Sequence, residues 1–299
     1  MKVLHISTPH SWRGGEHQAT LLVEGLNGFG VENSVLCPNG SELAERMLRK
    51  EQQTILFRSR GVLGINLAMK IATLCKENKF DIVHAHDAHA HTSGVLAAAL
   101  FGNKLPLVIS RRVDFPVSSS FFSSWKYNHR YVRKIICVSE AIRKIMVPSL
   151  KHPEVLTVVN DGIRLHDETK TVFSSTIREE LQIPSDVILV GNFSALADHK
   201  DYPTFIKAAS EILKVNNRVH FIIAGRGEEE GRIKQMIQEL KLEKNIHLLG
   251  FRHDVPALMK ALDVFLMTSK TEGMGSILLE AFDLVTPVVA TAAGGIPEL

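Results

Sequence analysis

With 299 residues, 45% of them hydrophobic, the chain is long enough to fill more than one core, so two domains are the working expectation. Its net charge of +3, with both signs spread along the chain, supplies no basic stripe or arginine-rich arm to follow a phosphodiester backbone, which argues against a nucleic-acid partner. Cys37, Cys75 and Cys137 are odd in number, far apart and set in apolar runs, so buried reduced thiols explain them better than disulfides.

Met1-Lys2-Val3-Leu4-His5-Ile6 runs straight into a strand pattern with no apolar signal region, so the chain reads as cytoplasmic. His, Lys, Arg or Asp interrupts every apolar run before it reaches the ~20 residues needed to span a bilayer. Peripheral contact with the inner face of a membrane is left open. Strand patterns follow at Val3–Ile6, Ser34–Cys37, Thr54–Phe57, Ile82–His86, Leu107–Ser110, Ile135–Ser139 and Val155–Val159. Helical patterns lie between most of them: Ala19, Leu22, Val23 and Leu26 share one stripe, and Leu67, Ile71 and Leu74 another. This alternation implies a parallel, doubly wound sheet.

A polar stretch from Arg164 to Ser175 reads as an interdomain linker, after which the rhythm restarts. Strands are expected at Val187–Val190, Val219–Ala224, Ile246–Leu249, Val264–Met267 and Pro287–Thr291, with helices at Tyr202–Val215 and Gly231–Leu240. Asp201 is placed to cap the first of these helices, with Pro203 in its first turn. The fold expected is therefore α/β, with two Rossmann-like domains over 1–163 and 164–299.

In open parallel sheets, ligands bind beyond the carboxyl ends of the strands. Four such loops carry unusual residues. Gly14-Gly15 can let backbone amides approach an anion at a helix start, or can simply make a tight turn; neither a Walker loop nor a full G-x-G-x-x-G is present. His84-Ala85-His86-Asp87-Ala88-His89-Ala90-His91 is dense enough in imidazole to collect a divalent metal, and a metal-dependent hydrolase centred on His84, His86 and His89 is the alternative it motivates. The H-x-H-x-D-H pattern would need Asp at position 88, where the chain has Ala88. The plain reading points His84 into the sheet and leaves His89 and His91 on a loop. Gly225-Arg226-Gly227 is the third loop. In the fourth, Glu272 sits in a loop mouth formed with Gly273-Met274-Gly275, and Glu280 projects from the helix that starts at Ser276.

Two further segments each admit two readings. Arg111-Arg112-Val113-Asp114-Phe115 could contact an anionic acceptor or be an ordinary surface ion-pair cluster. The run from Phe121 to Lys134 interleaves aromatics and bases, which suits a helix lying on an anionic bilayer or a surface helix with inward aromatics.

Thr268-Ser269-Lys270-Thr271-Glu272-Gly273-Met274-Gly275-Ser276-Ile277-Leu278-Leu279-Glu280-Ala281, with Thr286 to Thr291 and Gly294-Gly295-Ile296-Pro297-Glu298 behind it, resembles the E-x7-E signature of family-four retaining glycosyltransferases of the GT-B architecture. Arg13 to Glu16, Asp81 to His86, Val138 to Glu140 and Asp161 to Ile163 are similar to that family's weaker landmarks, so the resemblance covers almost the whole chain. It implies a metal-independent enzyme without a cofactor, binding a UDP- or GDP-sugar in an interdomain cleft and a glycan or lipid-linked acceptor mainly on the amino-terminal domain. It also implies roles. Glu272 and the Gly273, Met274, Gly275 and Ser276 amides hold sugar hydroxyls, Glu280 the ribose, and Lys200 the diphosphate. Gly15 approaches the phosphate, and His86 lines the sugar or acceptor side. Glu272, His86 and Lys200 would then be the catalytic set, with Gly225 and Arg226 near the donor and Arg111 and Arg112 near the acceptor. Retention through same-face attack is what the family suggests.

Two departures stand out. The family's Arg five residues before the diphosphate Lys is replaced by Ala195, with Arg226 as a candidate substitute. The family's chain also continues beyond Gly-Gly-Ile-Pro-Glu-Leu, so a second domain truncated at Leu299, with apolar surface at its edge, is expected. A sugar-nucleotide-binding protein without turnover is the third hypothesis.

Overall fold

The computed structural model describes residues 1–58, 64–166 and 176–299. The chain divides into two compact units, Met1–Gly162 and Ile163–Leu299. Residues 167–175 of the expected linker lie outside the described residues; just before them, His166 is held in the second unit through Asp283 Oδ2, which accepts from its backbone N–H at 3.0 Å.

The first unit contains β1 (Lys2–Ile6), β2 (Glu32–Pro38), β3 (Thr54–Phe57), β4 (Ile82–Ala85), β5 (Leu107–Arg111), β6 (Val132–Cys137) and β7 (Leu156–Val158). They form one sheet in the order β3-β2-β1-β4-β5-β6-β7, every neighbouring pair parallel. The second unit contains β8 (Ile188–Phe193), β9 (Val219–Ala224), β10 (Ile246–Gly250), β11 (Val264–Met267) and β12 (Val288–Ala290), in the order β10-β9-β8-β11-β12, again all parallel. Both units are Rossmann-like, as the strand-helix alternation implies.

Strand alternation explains how each second-unit strand serves two cores. On β9, Val219, Phe221 and Ile223 join one apolar cluster with Tyr202, Phe205 and Ile206, while Ile222 and Ala224 point into the other with Phe193, Phe265 and Met267. Burying each of these large side chains contributes about 1.5–3 kcal/mol. The helix at Tyr202–Val215 begins where the sequence places it: Asp201 accepts from Thr204 Oγ1 at 2.7 Å and caps the backbone N–H of Thr204, and Pro203 lies in the first turn. Its Tyr202, Phe205, Ile206 and Ala209 stripe is buried.

The aromatic and basic run is not one helix. The helix that starts at Phe121 ends at Tyr127 after only seven residues, and Val132 already begins β6, with Arg133 and Lys134 exposed on the strand. A register irregularity at Leu107/Val108, where β5 meets β6, breaks the alternation that would have revealed this strand's start. Tyr127 packs inward, whereas Phe121 is 86% exposed. Among the described residues no helix is long and apolar enough to cross a membrane. Cys37, Cys75 and Cys137 are free and buried, and burial pushes the Cys37 thiol up to about 11.

Candidate functional site

The sheet topologies locate two candidate edges. In the first unit the chain leaves β1 toward β2 and β4 toward β5, in opposite directions, so the crevice between β1 and β4 is the switch point at which open α/β sheets bind ligands. In the second unit the equivalent crevice lies between β8 and β11. Three of the four unusual loops follow strands that flank these crevices, after β1, β4 and β11; Gly225-Arg226-Gly227 follows β9, the neighbour of β8.

In the first unit, parallel pairing sets His5 opposite His84, and His86 follows directly after β4. All three are buried, with nitrogens within 4.8 Å of one another, and could hold a divalent ion. His5 Nδ1 lies 3.0 Å from His86 Nε2, and His5 Nε2 lies 3.0 Å from Asn33 Oδ1. His84 Nε2 lies 2.9 Å from Ser110 Oγ. Desolvation lowers the pKa of His5 to about 4 and holds His84 and His86 well below the usual imidazole range; Arg112 pushes His84 and His86 the same way. The three rings are therefore neutral.

This corrects the histidine reading of the sequence in three places. His89 is exposed on the helix Ala88–Phe101 and is not a member of the cluster; His5, from a strand about eighty positions earlier, takes its place. His91 is not on a loop: it is fully buried in that helix, its ring edge-on to Tyr127 and its Nε2 3.2 Å from the Lys126 carbonyl. Asp87 is a helix cap, its carboxylate accepting from the His89 and Ala90 amides and from the Thr8 amide and hydroxyl. With those four donors it is committed to structure, so the H-x-H-D run is a strand end plus a cap, and the hydrolase centre on His84, His86 and His89 is not assembled.

At the start of the helix Gly14–Gly28, a side chain added at Gly14 or Gly15 would meet nothing within 4 Å, and neither residue has positive φ. Neither turn geometry nor internal packing requires glycine there. The same helix holds the far end of the unit: the Gln18 amide donates to the Gly162 carbonyl at 2.7 Å and accepts from its N–H at 3.3 Å. Asp161 in turn accepts from Arg112 Nε at 3.2 Å, both side chains mostly buried. Arg111 is not part of a surface cluster. It is buried against Phe115 and Tyr127, donating to the Tyr127 hydroxyl at 3.0 Å and to the Phe115 carbonyl at 2.5 Å.

In the second unit, Lys200 ends a single turn (Asp198–Lys200) after β8, and Glu272 lies in the loop after β11. Lys200 Nζ is bonded to Glu272 Oε1, which also accepts from Ser269 Oγ at 2.8 Å. Backbone contacts knit these segments together: Lys270 N–H donates to the His199 carbonyl at 2.8 Å, and Thr291 Oγ1 to the Ser269 carbonyl at 2.6 Å. Gly294, with φ +55°, lies so close over Glu272 that an added Cβ would sit 1.9 Å from its carbonyl oxygen, and Gly295 N–H donates to that same oxygen at 3.0 Å. The Gly-Gly-Ile-Pro-Glu segment is thus the clamp of the Glu272 loop. Gly275, at φ +82°, turns the chain into the helix Ile277–Asp283, with Met274 buried and Ser276 at its start. Glu280 lies in that helix, half-buried, with no side-chain hydrogen bond among the described residues; desolvation raises its pKa, the nearby His166 opposes the rise and Asp283 adds to it. Gly225 and Gly227 have a structural reason, since added Cβ atoms would strike the Ser194 and Leu196 carbonyl oxygens at 1.9 and 2.2 Å. Arg226 between them is exposed, as is Ala195.

The sequence signals missed His5, Asn33 and Ser269. A lone histidine or asparagine in a strand pattern reads as core, and nothing local marks a partner far along the chain.

Comparison with known proteins bears on the family and the fold. The model of Glycosyltransferase Family 4 matches residues 12–167, and that of Glycosyl transferases group 1 matches residues 173–299. The chain is 28% identical over 236 residues to UDP-Gal:alpha-D-GlcNAc-diphosphoundecaprenol alpha-1,3-galactosyltransferase of Escherichia coli, covering 74% of this chain and 60% of that one. It is 25% identical over 300 residues to the lipopolysaccharide core biosynthesis glycosyltransferase LpsE of Rhizobium meliloti, covering 99% of this chain and 80% of that one. The chain spans 52 to 65% of the length of several other curated relatives. Among solved structures, Anabaena HepE in complex with UDP-glucose superposes with a TM-score of 0.84 at 23% identity, covering all of this chain and 82% of that one, and shares its GT-B fold. Since the family model spans more than half of the chain, and a second glycosyltransferase model takes up the other sheet, the chain belongs to glycosyltransferase family 4.

Proposed function

We propose that the protein transfers a hexose-like sugar from a UDP- or GDP-sugar to a glycan or lipid-linked acceptor in cell-surface polysaccharide synthesis, with retention of configuration and without a metal. The observation that carries this reading is the second-unit edge. There a lysine from the turn after β8 meets a carboxylate clamped in the loop after β11, beside the crevice between these strands, and a second, half-buried carboxylate follows in the next helix. A departing nucleoside diphosphate builds negative charge that positive groups must stabilise, and Lys200 supplies it once released from Glu272. Glu280 accepts from the ribose hydroxyls, Glu272 and the Gly273–Ser276 amides bind the sugar, and Arg226 stands near the phosphates in place of the arginine that Ala195 replaces. In the first unit, Gly15 offers a bare amide to an anion and His86 faces sugar or acceptor, with Arg112 beside it.

Support comes from the relatives. HepE was solved with UDP-glucose, and the Escherichia coli enzyme is named for a UDP-galactose donor and a lipid-diphosphate acceptor. Thermal-shift titration with UDP, GDP, UDP-glucose, UDP-galactose and GDP-mannose tests it, because a ligand of the native state raises the melting temperature. A uridine or guanosine diphosphate shift of several degrees, followed by transfer to a lipid-linked saccharide, is expected. Absence of a shift with every nucleotide overturns the reading; a shift without transfer or donor hydrolysis supports a binding protein instead.

A further inference from the structure

The hydrogen positions in the first-unit histidine cluster can be assigned from one end. Asn33 Nδ2 faces only acceptors: Asn27 Oδ1 at 2.8 Å, the Val31 carbonyl at 2.9 Å and the Val23 carbonyl at 3.5 Å. Its amide must therefore turn its oxygen toward His5, and at 3.0 Å His5 Nε2 is the donor. His5 is buried and bonded to an amide and an imidazole, with no carboxylate on either nitrogen to hold a second proton, so its one ring proton is on Nε2 and Nδ1 is a lone pair. His86 Nε2, 3.0 Å from that lone pair, must donate to it. Neutral His86 then has no second proton. Its Nδ1 is a bare acceptor, buried and without a partner among the described residues. The reversed chain would set the His5 Nε2 lone pair against the Asn33 carbonyl oxygen, a repulsive contact.

We propose that Asn33 and His5 are positioning residues that lock His86 in its Nε2–H tautomer and present Nδ1 as an acceptor for a hydroxyl of a sugar ligand. The hydroxyl contact rests on the sugar-transfer reading; the tautomer does not. A bare lone pair repels phosphate and carboxylate oxygens and selects hydroxyl groups. Ser7 Oγ, just after β1, and Arg112 Nη1 are also buried without partners among the described residues. Unsatisfied donors and an unsatisfied acceptor at one sheet edge suit a polyhydroxylated ligand, whose hydroxyls both give and take hydrogen bonds.

Long-range proton–nitrogen NMR correlation on the full chain carrying 15N-histidine tests this, with the His86 signals identified by their loss in His86→Gln. In the wild-type chain at neutral pH, Nε2 should be of the protonated and Nδ1 of the unprotonated type. A proton on Nδ1, a charged ring, or stoichiometric uptake of added Zn²⁺ with loss of the Nε2 proton overturns the proposal. In His5→Leu and Asn33→Leu, His86 should become a tautomer mixture and kcat/KM should fall about three- to tenfold, the weight of one hydrogen bond. His5→Asn, which keeps an oxygen acceptor near the Nδ1 position, should restore both. Unchanged tautomer and turnover in His5→Leu overturn the relay, and the wild-type spectrum decides the tautomer even where a variant does not fold. UDP-glucose should shift His86 Nδ1 while UDP alone should not, and equal responses overturn the hydroxyl contact. A chain that binds neither fails the sugar-transfer reading and the hydroxyl contact with it, leaving the relay to the first spectrum.

Discussion

A diphosphate that binds Lys200 must share its ammonium with Glu272, whose negative charge competes with the phosphates, and that pairing separates the effects of two substitutions. Glu272→Gln removes the competing charge, so free UDP or GDP affinity should rise about threefold or more, as expected for releasing one charged hydrogen bond. Turnover should fall about a hundredfold, the usual scale for losing a group that acts on the breaking bond. Calorimetric titration with the nucleotide diphosphate and single-turnover transfer check the two limbs; a fall in nucleotide affinity would mean Glu272 holds Lys200 ready rather than restrains it. Glu280→Ala should instead weaken nucleotide diphosphate and donor together by about tenfold, with a smaller effect at saturating donor. Since burial raises the Glu280 pKa, its carboxylate is lost at higher pH than an ordinary glutamate's. Nucleotide affinity should therefore decline on acidification earlier than a normal carboxylate would dictate, and this acid limb should vanish in Glu280→Ala. The sign for folding is opposite: the folded state holds that proton more tightly than the unfolded one, so this group adds stability at low pH and loses it as pH rises through its folded pKa.

Glycines separate into two kinds at the level of loops and helices, and only one kind is about the fold. Gly294→Ala forces a Cβ against the Glu272 carbonyl at a positive φ, so it should lower the melting temperature and release the Glu272 loop. Gly15→Ala meets nothing and improves helix propensity, so stability should hold or rise while substrate affinity falls. Paired thermal melts and nucleotide titrations distinguish them; a destabilised Gly15→Ala would make that glycine structural. The sequence made some of these elements legible and hid others for physical reasons. Asp201 and Pro203 carry local start signals, and the helix they open begins and ends where expected. The E-x7-E segment was visible because glycines, carboxylates and an apolar run sit within a few residues. The Gly294 clamp and the Asn33–His5–His86 chain were not, because their partners meet only through sheet pairing and loop folding over long sequence separations. The start of β6 was hidden because Arg133 and Lys134 are exposed on consecutive strand positions, which period-two reasoning takes for a loop or helix.

Two parallel sheets on one chain were readable from the restart of the strand-helix rhythm, yet their unequal response to acid is a property only the packing reveals. The first unit buries His5, His84, His86 and His91 as neutral rings, their pKa values lowered chiefly by desolvation. In the second unit, His220 and His247 are shifted down, and both are half-buried. A histidine whose folded pKa is depressed contributes stability that is complete above its unfolded pKa, near 6.5, and is lost as pH falls through 6.5 toward the folded value. For His5 that window runs from 6.5 down to about 4. Each such group ties folding to the neutral ring inside its window, so the first unit should weaken progressively as pH falls from 7 to 5. Glu16 and Asp161, with raised pKa values, act in the opposite sense, but they start from carboxylate values of 4.5 and 3.8 and offset the loss mainly toward the acid end. Hydrogen exchange followed by mass spectrometry at pH 7.5 and 5.5, corrected for intrinsic rates, should show protection falling in β1, β4 and the helix Ala88–Phe101 well before it falls in β8, β9 and β11. Equal loss in both sheets, or loss led by the second, would show that the buried imidazoles are not what ties this fold to neutral pH.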